Sequence, residues 1–101
     1  MIGNVKKVNK NYIEEKLKPI FLRHNVKSAI LFGSVAKDMH NEYSDIDIMV
    51  DSNLKGLKFF GLLEDIVNIL ESDVDLIDKS QIINNSLIEK EINNTGVSIY
   101  G

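Results

Sequence analysis

Three aspartates stand among apolar neighbours in this chain. Asp45 and Asp47 alternate with Ile46 and Ile48 in SDIDIMVD (44–51), and Asp75 alternates with Val74 and Leu76 in DVDLID (73–78). An ionised carboxylate in a low-dielectric strand is costly unless a cation meets it. Lys37 and Lys55 lie too far along the chain to pair with the first two by default. Side chains alternate across a strand, so Ile46, Ile48 and Val50 share the core face and Asp45, Asp47 and Asp51 the other. That acidic face cannot be packed under a helix and is expected to line an open cleft. Carboxylates at i and i+2 lie roughly 7 Å apart along a strand. That spacing suits oxygen ligands converging on hard divalent cations such as Mg²⁺. If the DVDLID strand is a neighbour, Asp75 completes a three-carboxylate cluster suited to two-metal phosphoryl transfer.

A second set of residues suits an anion. Gly33 follows an apolar run, and its missing side chain allows close backbone approach by a ligand. Ser34 can cap the next turn and leave N–H groups aimed outward at a phosphate. Lys37 then falls in a first helical turn, where the dipole disfavours a cation unless a bound anion reverses the preference. Together the two sets fit a nucleoside triphosphate, with its phosphates on Gly33, Ser34 and Lys37 and two Mg²⁺ ions on Asp45, Asp47 and Asp75.

The elements that position these groups are legible as patterns. Ile13, Leu17, Ile20 and Phe21 recur at helical spacing. Asn11 and Glu14 resemble a capping box, Pro19 should kink or divide the helix, and His24 and Asn25 fit its end. VKSAILF (26–32) reads as a strand, Ser34 opens a short helix or turn, and SDIDIMVD is the second strand. Leu57, Phe60, Leu63, Ile66, Val67 and Leu70 form a helical core stripe. DVDLID is the third strand. Ser80 caps a last helix carrying Ile83, Leu87, Ile88 and Ile92, Thr95 and Gly96 end it, and VSIY (97–100) adds an edge strand. These patterns are expected to give a single α/β-type domain whose acidic strand face lines an open cleft.

Composition limits the partners. The 101 residues are expected to form one domain, 1–101, with a single core. With no cysteine, disulfides, thiolate metal sites and cysteine nucleophiles are excluded. The net charge of −3 argues against broad binding of nucleic acid or anionic membrane. Neither a signal peptide nor a membrane-spanning apolar run is visible, so a cytoplasmic protein is expected.

GSVAKDMHNEYSDIDIMVD (33–51) resembles the G-S-x-A-R-G…S-D-I-D-L signature of the minimal nucleotidyltransferases (MNT), small members of the polymerase-β-like superfamily. VDLID resembles their third-carboxylate motif. The resemblance covers essentially the whole chain. It implies the polymerase-β-like nucleotidyltransferase fold, of class α/β (α+β), with a small mixed sheet packed against helices on one face and an open acidic cleft on the other, and transfer of a nucleotidyl group from a triphosphate with release of pyrophosphate. It carries Gly33 and Ser34 to phosphate binding, and Asp45, Asp47 and Asp75 to catalysis and metal binding, with Asp75 also helping to deprotonate the acceptor. Two positions depart from the pattern. Lys37 stands for the usual Arg, keeping charge but losing the bidentate fork, and Asp38 stands for the usual Gly.

Nothing in the chain looks like an acceptor-binding domain. The acceptor site is then expected from a second chain or from an interface between two copies, as in a homo-oligomer. Family members of this size occur beside a small helical HEPN protein as antitoxin and toxin. The resemblance therefore implies ATP-dependent, Mg²⁺-dependent adenylylation of a hydroxyl side chain on that partner. The alternatives are nucleotidyl transfer to a small hydroxylated molecule such as an aminoglycoside, or a non-catalytic antitoxin acting by binding alone. Plainer roles fit the remaining residues. Asp73 and Asp78 read as solvated strand ends, Asp51 as a loop cap, His40 as a surface residue, Tyr43 as packing and His24 as a helix-end cation.

Overall fold

The computed structural model describes residues 9–33 and 46–101. Their order is α1 (Lys10–Arg23), β1 (Ser28–Phe32), β2 (Ile46–Asp51), α2 (Leu57–Leu70), β3 (Val74–Asp78), a 3₁₀ turn (Lys79–Gln81), α3 (Leu87–Thr95) and β4 (Val97–Tyr100). The strands form one sheet in the order β3-β2-β1-β4. β1 is antiparallel to both β2 and β4, whereas β2 and β3 run parallel, joined through α2.

Local chemistry fixes both ends of α1. The side chain of Asn9, not Asn11, caps α1 by accepting from Tyr12 N at 2.9 Å. Asn11 lies inside the helix, so the expected capping box is absent. Pro19 does not divide α1: it sits on the exposed side, while Leu17, Ile20 and Phe21 are buried around it. That burial outweighs the one backbone bond a proline forfeits. Asn25, at φ 58°, ends the helix in the left-handed region that asparagine tolerates.

The main core lies between one face of the sheet and the pair α1 and α2. It joins Ile13, Leu17 and Phe21 of α1 to Leu62, Ile66 and Leu70 of α2 over Leu31, Ile48 and Val50. Residues on this side of β1 and β2 alternate as the sequence pattern predicts. The α2 stripe, however, is rotated from the expected one. Leu57 and Phe60 are 87% and 57% exposed, and Leu62 takes the inward place.

The opposite face is not wholly open. Phe32, Met49 and Ile92 form a second cluster, flanked by Ile30, Ile77 and Ile82. The expected mixed sheet is present and α1 and α2 share one face, but α3 covers part of the other. Ser86, not Ser80, caps α3, accepting from Glu89 N at 3.2 Å. Ser80 lies in the preceding turn, and Ile83, Leu87 and Ile88 are exposed, leaving Ile92 as the anchor. No helix among the described residues is long and apolar enough to cross a membrane.

Candidate active site

Asp47 lies on β2 and Asp75 on β3, and the parallel register pairs them directly. Both alternate away from the main core, whose side of these strands carries Ile46, Ile48 and Leu76. Adjacent strands are about 4.8 Å apart, so the two carboxylates rise from neighbouring positions on one face. Asp75 is exposed and Asp47 half-buried. Like charges held this close favour a shared cation. Asp45, Ser34 and Lys37 lie outside the described residues, as do Asp38, His40 and Tyr43. Among the described residues no group of three potential metal ligands assembles. The pair Asp47 and Asp75 is the part of the expected triad that the structure brings together, and two carboxylates on one row fit the oxygen chemistry of Mg²⁺.

Gly33 closes the site from β1. Phe32 opposes Asp47 in the antiparallel register, so Gly33 begins where the acidic row begins. Its φ is +79°, and a Cβ built there would collide with Oδ2 of Asp47. Glycine is therefore required twice, for its backbone conformation and for the space the carboxylate occupies. The Gly33 N–H donates to Thr95 Oγ1 at 3.0 Å. Sequence reading gave Thr95 no role beyond ending a helix. A threonine beside a glycine at a helix end was the available signal.

Further along the same face the acidic row gives way to apolar residues. Met49 and Ile77, two positions beyond Asp47 and Asp75, belong to the cluster under α3. A groove of about 300 Å³ runs there between Ile30, Met49, Ile82 and Ile92. The expected open acidic face is thus one row deep, and a helix covers the next.

Asp78 and Asp65 hold structure together. Asp78 is 4% exposed, not a solvated strand end. Its Oδ1 accepts from Ser52 N and Oγ at 3.1 and 2.7 Å, and its Oδ2 from Ser80 N and Oγ at 3.0 and 2.6 Å. Burial would raise its pKa, but these bonds from Ser52 and Ser80 prevail and hold it below the ordinary value of 3.8. Asp78 thus ties the loop after β2, a role the sequence reading gave to Asp51. A polar cavity of about 740 Å³ beside it, lined in part by Lys27, Ser52 and Lys79, lies at the opposite end of the strands from Asp47 and Asp75. His24 Nε2 and Arg23 Nη2 each lie 2.8 Å from Asp65 Oδ2, bridging α1 to α2. The His24 and Arg23 hydrogen bonds hold the Asp65 carboxyl below its usual range.

Comparison with known proteins gives this geometry a context. Residues 15–101 match the family described as "Polymerase beta, Nucleotidyltransferase". A Methanocaldococcus jannaschii protein assigned as a protein adenylyltransferase is 34% identical over 95 residues, spanning 91% of this chain and 99% of its own length. A toxin-antitoxin crystal structure with AMP-PNP superposes with a TM-score of 0.75 at 25% identity, over 87% of this chain and 73% of its own. A tri-AMPylated Shewanella oneidensis HEPN toxin in complex with MNT antitoxin gives 0.69 at 25% identity, over 91% and 72%.

Proposed function

The chain belongs to the polymerase beta nucleotidyltransferase family and is a nucleotidyltransferase, and from that premise we propose that it adenylylates a hydroxyl side chain of a HEPN-type toxin partner. In this reading it is the antitoxin of a toxin-antitoxin pair and uses ATP with Mg²⁺. The observation that carries the proposal is the direct pairing of Asp47 with Asp75 across parallel strands. The relatives supply the direction. One is assigned to protein adenylylation, and another is seen with a HEPN toxin that bears AMP.

Asp45, Asp47 and Asp75 would hold the metal ions, and Gly33, Ser34 and Lys37 the triphosphate. Bound divalent ions would lower the acceptor's pKa and neutralise charge on the phosphate oxygens. The acceptor oxygen bonds to the α-phosphorus, the bond from that phosphorus to the bridging oxygen breaks, and pyrophosphate leaves. Asp75, exposed at the open side of the row, takes the hydroxyl proton. Gly33 leaves the space in which Asp47 keeps its place beside the phosphates. An exposed acidic row of this kind admits a side chain protruding from another macromolecule.

The test is to incubate the chain with ATP, Mg²⁺ and the product of the neighbouring gene, and to weigh that product intact. A gain of one or more AMP units, absent with Asp47→Asn, is expected. A tight complex with no gain in mass, whose toxin neutralisation survives Asp47→Asn, would replace enzymatic modification with inhibition by binding.

A further inference from the structure

Gly33 is buried, left-handed in φ, and pressed against the Asp47 carboxylate. Its N–H is held by a residue 62 positions away in sequence. Thr95 Oγ1 accepts that bond at 3.0 Å and donates its own proton to Glu91 O at 2.8 Å. A hydroxyl has one proton to give. With that proton committed to Glu91, a lone pair is fixed toward Gly33. The base of this clamp is tied to the sheet. Gly96 N–H donates to Ile92 O at 2.7 Å, and Ile92 is buried against Phe32 and Met49 on the same sheet face.

We infer that Thr95 is a positioning residue for nucleotidyl transfer: it fixes the Gly33 backbone and so the place of Asp47 beside the triphosphate. The inference rests on the proposed roles of Gly33 and Asp47. It deepens them by assigning to α3, which supplies none of the expected ligands, control over the geometry of the nucleotide seat. The Gly33 N–H is spent on Thr95. Gly33 therefore serves the phosphates by its shape and its lack of a side chain, and other groups supply the donated hydrogen bonds.

Three variants and two measurements test this. Thr95→Val keeps the shape and removes the hydroxyl, Thr95→Ser keeps the hydroxyl, and Thr95→Ala serves if the valine protein does not fold. The affinity for AMP-PNP with Mn²⁺ is measured by calorimetry, and the Gly33 amide is followed by NMR hydrogen exchange without nucleotide. Thr95→Val or Thr95→Ala should weaken AMP-PNP binding roughly 2- to 10-fold, the worth of one hydrogen bond, and speed Gly33 exchange. Thr95→Ser should restore both. Wild-type affinity and unchanged Gly33 exchange in Thr95→Val would overturn the inference alone, as would equal damage from Val and Ser. A wild-type protein that binds no AMP-PNP would overturn the nucleotide-site reading, and this inference with it.

Discussion

At the scale of single residues, the three aspartates Asp47, Asp75 and Asp78 have three different environments. Asp75 is exposed on β3 beside Asp47. Asp75→Asn should abolish AMP transfer in the mass assay while the melting temperature holds or rises slightly, because a like-charge neighbour is removed. Gly33→Ala should fail differently. It forces a side chain into a left-handed backbone position and against Asp47 Oδ2, and urea denaturation should show a loss of at least about 1 kcal/mol. Asp78 is a matter of stability alone. Asp78→Ala leaves the buried Ser52 donors unpaired and should cost about 3 kcal/mol in the same experiment. Its pH dependence follows from a folded pKa below 3.8. The contribution is complete above that ordinary value and is lost as pH falls through the folded one, so acid titration of stability should flatten in Asp78→Asn. The shared face of Asp47 and Asp75 is legible because alternation in SDIDIMVD and DVDLID assigns it. The role of Asp78 is not, because its partner Ser52 stands 26 residues away and no local pattern marks the pair.

At the scale of elements, the strand patterns specify more of the structure than the helical ones. β1, β2 and β3 fall within the predicted stretches, and β4 is the predicted edge strand. Alternation has only two phases, and the acids select one. In LKFFGLLEDIVNIL the apolar residues nearly encircle α2, so spacing alone could not choose the inward line. The sheet chooses Leu62, Ile66 and Leu70. Leu62→Ala should therefore cost about 2–5 kcal/mol in unfolding free energy. Phe60→Ser, on the exposed side, should stay within about 0.5 kcal/mol. Reversed costs would restore the stripe predicted from sequence. α3 ends at Thr95 and Gly96 as the pattern predicts, but it starts at Leu87, later than a cap at Ser80 predicts. Exposed Ile83 and Leu87 imitate a buried stripe that only Ile92 fulfils.

At the scale of the whole molecule, two apolar clusters on opposite faces clamp a sheet whose acidic row emerges at one end. ATP with Mg²⁺ bound at this row should stabilise the fold by linkage, by about 2.7 kcal/mol at one hundred times the dissociation constant. Thermal unfolding with and without the pair should show the shift in the wild type and none in Asp47→Asn. The parallel pairing of β2 with β3 also limits where the chain can change length. Strand faces have a period of two, so one residue inserted between Glu71 and Val74 would either slide β3 or turn Asp75 toward the core and Val74 toward solvent. The lead-in leaves little slack to absorb it. Glu71 is left-handed at φ 51°, its N–H is bonded to Val67 O at 2.8 Å, and Ser72 Oγ is bonded to Leu70 O at 3.1 Å. Insertions and deletions across descendants of this gene should therefore be purged from positions 71–73 and should accumulate at exposed turns such as 83–85, making the crossover into β3 a fixed-length ruler for the acidic row.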